Sequence, residues 1–96
     1  MPAAARQGDT GVPHCSPYTI QSGSGDVFVN GRPAARQGDS STVHLKPAKR
    51  CSPHTSTISA ASGSVFVNGR GFARVGDRLT DCTSIASGSG DVFVGG

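Results

Sequence analysis

Short apolar segments recur along the chain, each flanked by small and polar residues. The triplet Val-Phe-Val stands at positions 27–29, 65–67 and 92–94, and a Ser-Gly sequence precedes each copy. Valine and phenylalanine favour strands, whereas glycine, asparagine and serine favour turns. The pattern therefore predicts a protein built from short strands and tight turns.

Two of the three triplets lead into the same longer sequence. Each is followed by Asn-Gly, the pair that favours a two-residue type I′ turn. An Arg-x-x-Ala-Arg sequence and a Gly-Asp pair come next at identical spacing, over residues 30–39 and 68–77. We therefore expect a β-hairpin in each copy, with the Gly-Asp pair ending the return strand in a turn.

The third copy is divided between the two ends of the chain. Residues 87–96 repeat Ser-Gly-Ser-Gly-Asp-Val-Phe-Val, and the chain starts with the missing return strand, residues 4–9. We therefore expect the N- and C-terminal strands to pair, and three similar hairpins imply a pseudo-threefold axis. The units span approximately residues 22–44, 62–82, and 87–96 closing with 1–14, within a single domain of residues 1–96.

Composition supports an all-β fold and raises the question of what stabilises it. The 96 residues include 14 Gly and 6 Pro but no Glu, no Trp and only two Leu, so the residues that favour helices are scarce. Hydrophobic residues make up 34% and aromatic residues 5%. A small domain with so little apolar bulk needs a metal, a disulfide or a partner surface for stability.

Charge and the N-terminal sequence exclude some classes of function. The net charge is +3, but the seven arginines are spread along the chain and the one dense basic stretch is residues 46–50. A solvated surface is therefore favoured over a nucleic-acid site. The N-terminus has no apolar core of signal-peptide length, so we expect neither export by such a signal nor a membrane span.

A zinc-ligand residue stands five positions after the aspartate of each Gly-Asp pair that ends a return strand, at Asp9, Asp39 and Asp77. The zinc-ligand residues are His14, His44 and Cys82. A pseudo-threefold axis would bring equivalent positions together, and structural zinc takes four ligands in a tetrahedron. His54 is the obvious fourth, because Cys-Ser-Pro-His at 51–54 parallels Cys-Ser-Pro-Tyr at 15–18. Three histidines and one cysteine fill the coordination sphere without a catalytic water, so we predict one structural Zn²⁺.

Three alternatives to this ligand set stay open. The histidines are also compatible with polar loop positions that bind no metal. Cys15 adjoins His14, and Cys51 stands three residues before His54, so either thiolate could replace a histidine as a zinc ligand. A disulfide between Cys15 and Cys51 is the third alternative, although the absence of a secretory signal favours reduced thiols.

Three further residue types recur at equivalent positions. They are the aspartates Asp9, Asp39 and Asp77, the arginines Arg6, Arg36 and Arg74, and the phenylalanines Phe28, Phe66 and Phe93. We expect the aspartates to satisfy turn amides, with the orientation of a ligating histidine as a second role. The arginines fit either surface ion pairs or contacts with a partner. For the phenylalanines, hydrophobic core is favoured over an apolar docking surface.

These motifs together resemble the PAAR-repeat proteins, and the resemblance covers essentially the whole chain. It is carried by Pro33-Ala34-Ala35-Arg36, by Ala4-Ala5-Arg6, by the Val-Phe-Val-Asn-Gly-Arg units and by the Gly-Asp pairs with a histidine or cysteine five residues later. The chain departs from the family pattern at Cys15, at residues 71–74 (Gly-Phe-Ala-Arg) and in the basic stretch 46–50. The family comprises small conical β proteins that sit on the trimeric VgrG spike of type VI secretion systems or on the spike of contractile phage tails.

The resemblance implies a function, a metal site and a partner. It implies a non-enzymatic tip that caps and sharpens the spike, with one chain per trimer, and that helps to pierce a target envelope and deliver effectors. The family's zinc ligands map onto His14, His44, His54 and Cys82. The docking face maps onto three triplets: Val27, Phe28 and Val29; Val65, Phe66 and Val67; Val92, Phe93 and Val94. The chain would assemble in the cytoplasm and leave the cell with the spike, or stand at a phage baseplate tip.

Two other functions compete with this hypothesis. A small zinc-dependent hydrolase needs an open coordination position and a general base, yet the chain has no glutamate and only Asp81 adjoins a predicted ligand. A zinc-stabilised nucleic-acid-binding module needs exposed aromatic residues within a basic face, a pattern that this sequence lacks.

Overall fold

The computed structural model describes residues 2–13, 17–42, 44–45, 53–80 and 82–95. Its named strands are β1 (Phe28–Val29), β2 (Arg32–Pro33), β3 (His44–Leu45), β4 (Pro53–His54), β5 (Phe66–Val67) and β6 (Arg70–Gly71). They pair antiparallel as β1 with β2, β3 with β4 and β5 with β6. These ranges contain no helix, and hence none that is long and apolar enough to cross a membrane. The all-β prediction is confirmed.

Both predicted Asn-Gly turns have the expected backbone conformation. The φ angles are 55° and 77° at Asn30 and Gly31, and 54° and 77° at Asn68 and Gly69. Positive φ at both central positions is the mark of the type I′ turn, which matches the twist of the flanking strands. The two turns join β1 to β2 and β5 to β6, as the sequence predicts.

The two ends of the chain pair and complete the third hairpin. Ala3 and Phe93 form an antiparallel bridge. The Ala4 amide donates to the Val92 carbonyl at 2.9 Å, and the Val94 amide donates to the Pro2 carbonyl at the same distance. The predicted pairing of the N- and C-terminal strands is therefore confirmed.

The three return strands meet in a closed ring of backbone hydrogen bonds. The Ala5 amide donates to the Ala73 carbonyl, the Ala73 amide to Ala35 and the Ala35 amide to Ala5, each at 3.0 Å. All three alanines are fully buried. A methyl side chain lets three backbones approach one another this closely, which explains why alanine occupies this position in every unit.

Buried side chains form two clusters around this ring. The larger one combines the ring alanines with Tyr18, Ile20, Ile58, Leu79, Cys82 and Ile85. The smaller one contains Ala4, Val29, Ala34, Val67, Phe72 and Val94. Each unit contributes residues to both clusters, so the units share one interior and do not fold as separate modules.

Serine hydroxyls define how the three units align. The Oγ atoms of Ser24, Ser62 and Ser89 each accept the amides two and three residues later, at 3.2 and 2.9 Å. Ser62 is therefore equivalent to Ser24 rather than to Ser22. The second repeat begins at Ala60, two residues before the start that the sequence suggests, because alanines replace the first Ser-Gly of the other units.

The same alignment explains the departure from Pro-Ala-Ala-Arg at residues 71–74. In each unit two facing positions are too close for two ordinary side chains, and one of them is glycine. The facing pairs are Gly23 with Pro33, Ala61 with Gly71, and Gly88 with Ala3. A Cβ built on each glycine would lie 2.9, 2.9 and 3.3 Å from the Cβ of its partner. The second unit thus exchanges the two residues of the pair: Ala61 stands where the first unit has Gly23, and Gly71 stands where it has Pro33.

Candidate docking face and metal-binding loops

The Val-Phe-Val triplets divide into a buried and an exposed part. Val29, Val67 and Val94 are buried in the smaller cluster. The three phenylalanines are 50–59% exposed, and Val27, Val65 and Val92 before them are 36–39% exposed. The interpretation of the phenylalanines as core residues is therefore wrong, because alternation along each strand turns the last valine inward and the phenylalanine outward.

We call the six exposed residues the apolar face. They are Val27, Phe28, Val65, Phe66, Val92 and Phe93. The triplets were predicted as a docking surface, and the burial of the last valine in each restricts the available surface to these six. Exposed aromatic side chains repeated at equivalent positions make this face the candidate docking surface of the described residues.

In the strands that carry the Val-Phe-Val triplets, the peptide groups at each phenylalanine also point away from the return strand. The carbonyls of Val27, Val65 and Val92 accept amides of the return strands at 2.9 Å. Phe28 stands opposite Pro33, which has no amide hydrogen, and Phe66 stands opposite Gly71. These are the positions of an antiparallel ladder whose peptide groups point to the outer side. The apolar face therefore combines phenylalanine side chains with strand edges.

The repeated arginines and aspartates form three equivalent ion pairs. Oδ2 of Asp9 accepts the backbone amide of Arg6 at 2.7 Å and its Nε at 2.9 Å, while Oδ1 accepts Nη2 at 3.0 Å. The Arg36–Asp39 and Arg74–Asp77 pairs of the first and second units repeat this geometry. The hydrogen bonds that each guanidinium donates to the carboxylate raise the pKa of the arginine above its ordinary value. All three arginines thus form intramolecular ion pairs, which is one of the two roles that the sequence left open for them.

Two asparagines of the turns hold neighbouring units together. The Asn30 Oδ1 accepts Arg6 Nη1 at 3.0 Å and Ser89 Oγ at 2.6 Å, and its Nδ2 donates to Asp91 Oδ1 at 2.9 Å. We call this set the first latch. The hydrogen bond from Asn30 is the main cause that lowers the pKa of Asp91.

The second latch repeats the first with different residues. The Asn68 Oδ1 accepts Arg36 Nη1 at 3.1 Å and Ser24 Oγ at 2.7 Å, and its Nδ2 donates to Asp26 Oδ1 at 2.8 Å. This contact is likewise the main cause of the lowered pKa of Asp26.

At the third junction glycine replaces the asparagine. The Gly95 carbonyl accepts Ser62 Oγ at 2.7 Å and Arg74 Nη1 at 3.4 Å. The residue equivalent to Asp26 there is Ser64. At each junction, asparagine and aspartate therefore occur together or not at all. The sequence contains this signal for the latches, but an interpretation of Asn30 only as a turn residue misses it.

Three hairpin loops follow the Gly-Asp turns, one in each unit. Their bases are the antiparallel bridges between Thr10 and Thr19, Ser40 and Thr57, and Arg78 and Ser84. The predicted zinc ligands all belong to these loops: His14 to the first, His44 and His54 to the second, and Cys82 to the third.

The structure relates two of the four predicted ligands directly. His44 and His54 are register partners in the β3–β4 pair. Cys82 is buried in the larger cluster, and Nε2 of His54 is buried as well. His14, Cys15 and Cys51 lie outside the described residues. Among the residues that are described, no three or more His, Cys or acidic side chains converge.

Tyr18 shares the environment of Cys82 at the loop end of the core. Its hydroxyl lies 2.9 Å from Thr83 Oγ1 in the third loop. Burial, together with the neighbouring Cys82 thiol, raises the pKa of Tyr18 to about 12. The tyrosine is therefore neutral at physiological pH and connects the first loop to the third.

The amino-acid sequence matches a known protein family over nearly its whole length. The family model described as PAAR motif matches residues 2–43 and 50–96. A comparison with curated proteins gave no match.

Proposed function

Because the chain belongs to the PAAR-motif family, which is associated with the spike tip of type VI secretion systems, we propose that it caps the trimeric VgrG-type spike of a contractile injection machine. The same role at the spike of a contractile phage tail is part of the proposal. The protein acts by shape and by binding, without catalysis.

The observation that carries this proposal is the apolar face. It presents one exposed Val-Phe pair from each of the three units. Each pair is accompanied by outward-facing peptide groups, which are able to hydrogen-bond with a strand of a partner. A trimer that ends in three strands offers a complementary set of apolar side chains and strand ends.

The equivalence of the three units supports a complex of one chain per trimer. Alanines at the same position of each unit form the ring of hydrogen bonds, and the ion pairs and hairpins recur with the same geometry. A single chain with three similar edges can meet three identical subunits nearly equivalently. A second chain on the same trimer would find no free subunit.

We further propose that one structural Zn²⁺ joins the three loops through His14, His44, His54 and Cys82. The donor set suits zinc, because imidazole and thiolate are its usual protein ligands. Opposite positions in an antiparallel pair lie about 4.5–5.5 Å apart at Cα, close enough for His44 and His54 to share an ion. Bound zinc would supply a cross-link between the loops, and its binding would be coupled to folding.

We also propose where the protein assembles and how it leaves the cell. It assembles in the cytoplasm on the spike, leaves the cell as the sheath contracts, and concentrates the force of contraction on a small area of the target envelope. Effectors would travel with it by non-covalent attachment or on the spike protein.

Binding to a purified trimeric spike tests the docking face. Replacing all three phenylalanines by serine should abolish binding, and because these side chains are largely exposed, the variant should remain folded by circular dichroism. Val12→Ser is the matched control, since Val12 is 42% exposed but lies in the first loop, outside the triplets. A folded triple variant that binds as tightly as the parent chain would contradict the assignment of the face.

A further inference from the structure

The two latches contain the pair of residues that is chemically least stable in a polypeptide. In an Asn-Gly sequence the glycine amide nitrogen can attack the asparagine carboxamide, because no side chain on glycine hinders the approach. Asn30-Gly31 and Asn68-Gly69 are both exposed to solvent in tight turns. Water and, at mildly alkaline pH, the hydroxide ions that catalyse the reaction therefore reach both sites.

We propose that Asn30 and Asn68 are deamidation sites whose reaction the latches control, and that deamidation opens the junction between units. Gly31 N attacks Asn30 Cγ, the Cγ–Nδ2 bond breaks, and ammonia leaves with the proton from the glycine nitrogen. Water then opens the resulting succinimide at either carbonyl and gives aspartate or isoaspartate. Asn68 reacts in the same way with Gly69.

The latch slows the first step by holding the carboxamide in place. Three hydrogen bonds fix the Asn30 group: two to Oδ1 from Arg6 and Ser89, and one from Nδ2 to Asp91. Rotation of the carboxamide that brings Cγ toward the glycine nitrogen breaks these three hydrogen bonds. Removing one hydrogen bond to a charged group should accelerate the reaction about tenfold, and unfolding, which removes all three, should accelerate it about a hundredfold or more.

The product is incompatible with the latch. Asn30 Nδ2 donates to Asp91 Oδ1 at 2.9 Å, and after deamidation a second carboxylate oxygen would occupy the donor's place. Two carboxylates at this distance repel each other. Isoaspartate also lengthens the backbone of the two-residue turn. The third junction, built on Gly95, has no asparagine and cannot undergo this change.

Mass spectrometry of the aged full-length chain tests the proposal. The chain is incubated at mildly alkaline pH with and without urea, then digested, and deamidation is quantified separately at Asn30 and Asn68. Asp91→Ala loosens only the first latch and Asp26→Ala only the second, so each variant carries its own control at the other asparagine. We expect each variant to accelerate its own site about tenfold and to leave the other unchanged.

Two results would overturn the proposal. One is a native chain that deamidates as fast as the chain in urea, a comparison that needs no variant to fold. The other is a folded Asp91→Ala chain, checked by circular dichroism, in which Asn30 reacts no faster than in the parent. As a test of the consequence, Asn30→Asp should lower the thermal midpoint, whereas Asn30→Ser, which adds no charge, should lower it less.

Discussion

Substitution of Gly71 by alanine probes the packing between the return strand of the second unit and its neighbour. A Cβ at position 71 would lie 2.6 Å from the Ser62 carbonyl oxygen and 2.9 Å from the Ala61 Cβ. Both contacts are shorter than van der Waals separation, and one atom belongs to the backbone. The neighbouring strand therefore has to shift to accommodate the methyl group.

The expected magnitude follows from two opposing effects. Insertion of a methyl group into a tightly packed site costs about 1–3 kcal/mol. Replacement of glycine by alanine restricts the unfolded chain and returns about 0.4–1 kcal/mol. Gly71→Ala should therefore destabilise the protein by about 1–2 kcal/mol, which lowers the thermal midpoint of a chain of this size by about 4–16 °C.

Ala61→Gly should rescue this substitution. The double variant recreates the arrangement of the first unit, where Gly23 faces Pro33, so the two substitutions should couple by about 1 kcal/mol. Thermal unfolding of the two single variants and the double variant measures the coupling. Gly90→Ala is the control, because a Cβ there meets nothing within 4 Å. The packing argument fails if Gly71→Ala is as stable as Gly90→Ala, or if Ala61→Gly gives no rescue.

Further predictions concern pH, metal and ion pairs. The lowered pKa values of Asp26 and Asp91 contribute stability above pH 3.8, which is lost as the pH falls through the lowered pKa, so Asp91→Asn should flatten the acid side of a melting-temperature profile. His44→Ala or Cys82→Ser should release zinc and lower thermal stability, whereas Cys15→Ser should do neither; zinc analysis of the purified variants decides between the ligand sets. Asp39→Asn should destabilise the chain by about 1–3 kcal/mol in urea unfolding, because it weakens a nearly buried ion pair, and an unchanged midpoint would contradict this role.

The repeats predicted the fold because each local signal agreed with the others. Asn-Gly after a β-forming triplet predicted the turns, and the position of residues 4–9 at the start of the chain predicted the pairing of the two ends. Both predictions are confirmed. They could be made from the sequence because a type I′ turn depends on residues within the turn, and the pairing of the two ends follows from a repeat that is visible in the sequence. The prediction that His44 and His54 bind one zinc stays a prediction, although the two residues are register partners in the β3–β4 pair.

Other features depend on contacts between units, which spacing alone does not reveal. Phe28 was expected in the core because of its hydrophobicity, yet the strand turns Val29 inward and leaves the phenylalanine at the surface. The alignment of Ser62 depends on its hydrogen bonds to the backbone, since alanines at 60–61 hide the repeat. Asn30 reaches a residue of another unit, and only the folded chain brings Asp91 next to it.

The mass of the complex between this chain and a purified trimeric spike tests the central claim most directly. Native mass spectrometry, or light scattering coupled to size exclusion, reports the stoichiometry without any assumption about the contacts. The account predicts one chain per trimer, because the three similar edges of a single chain occupy all three subunits. Three chains per trimer, or no complex with a cognate spike, would contradict it.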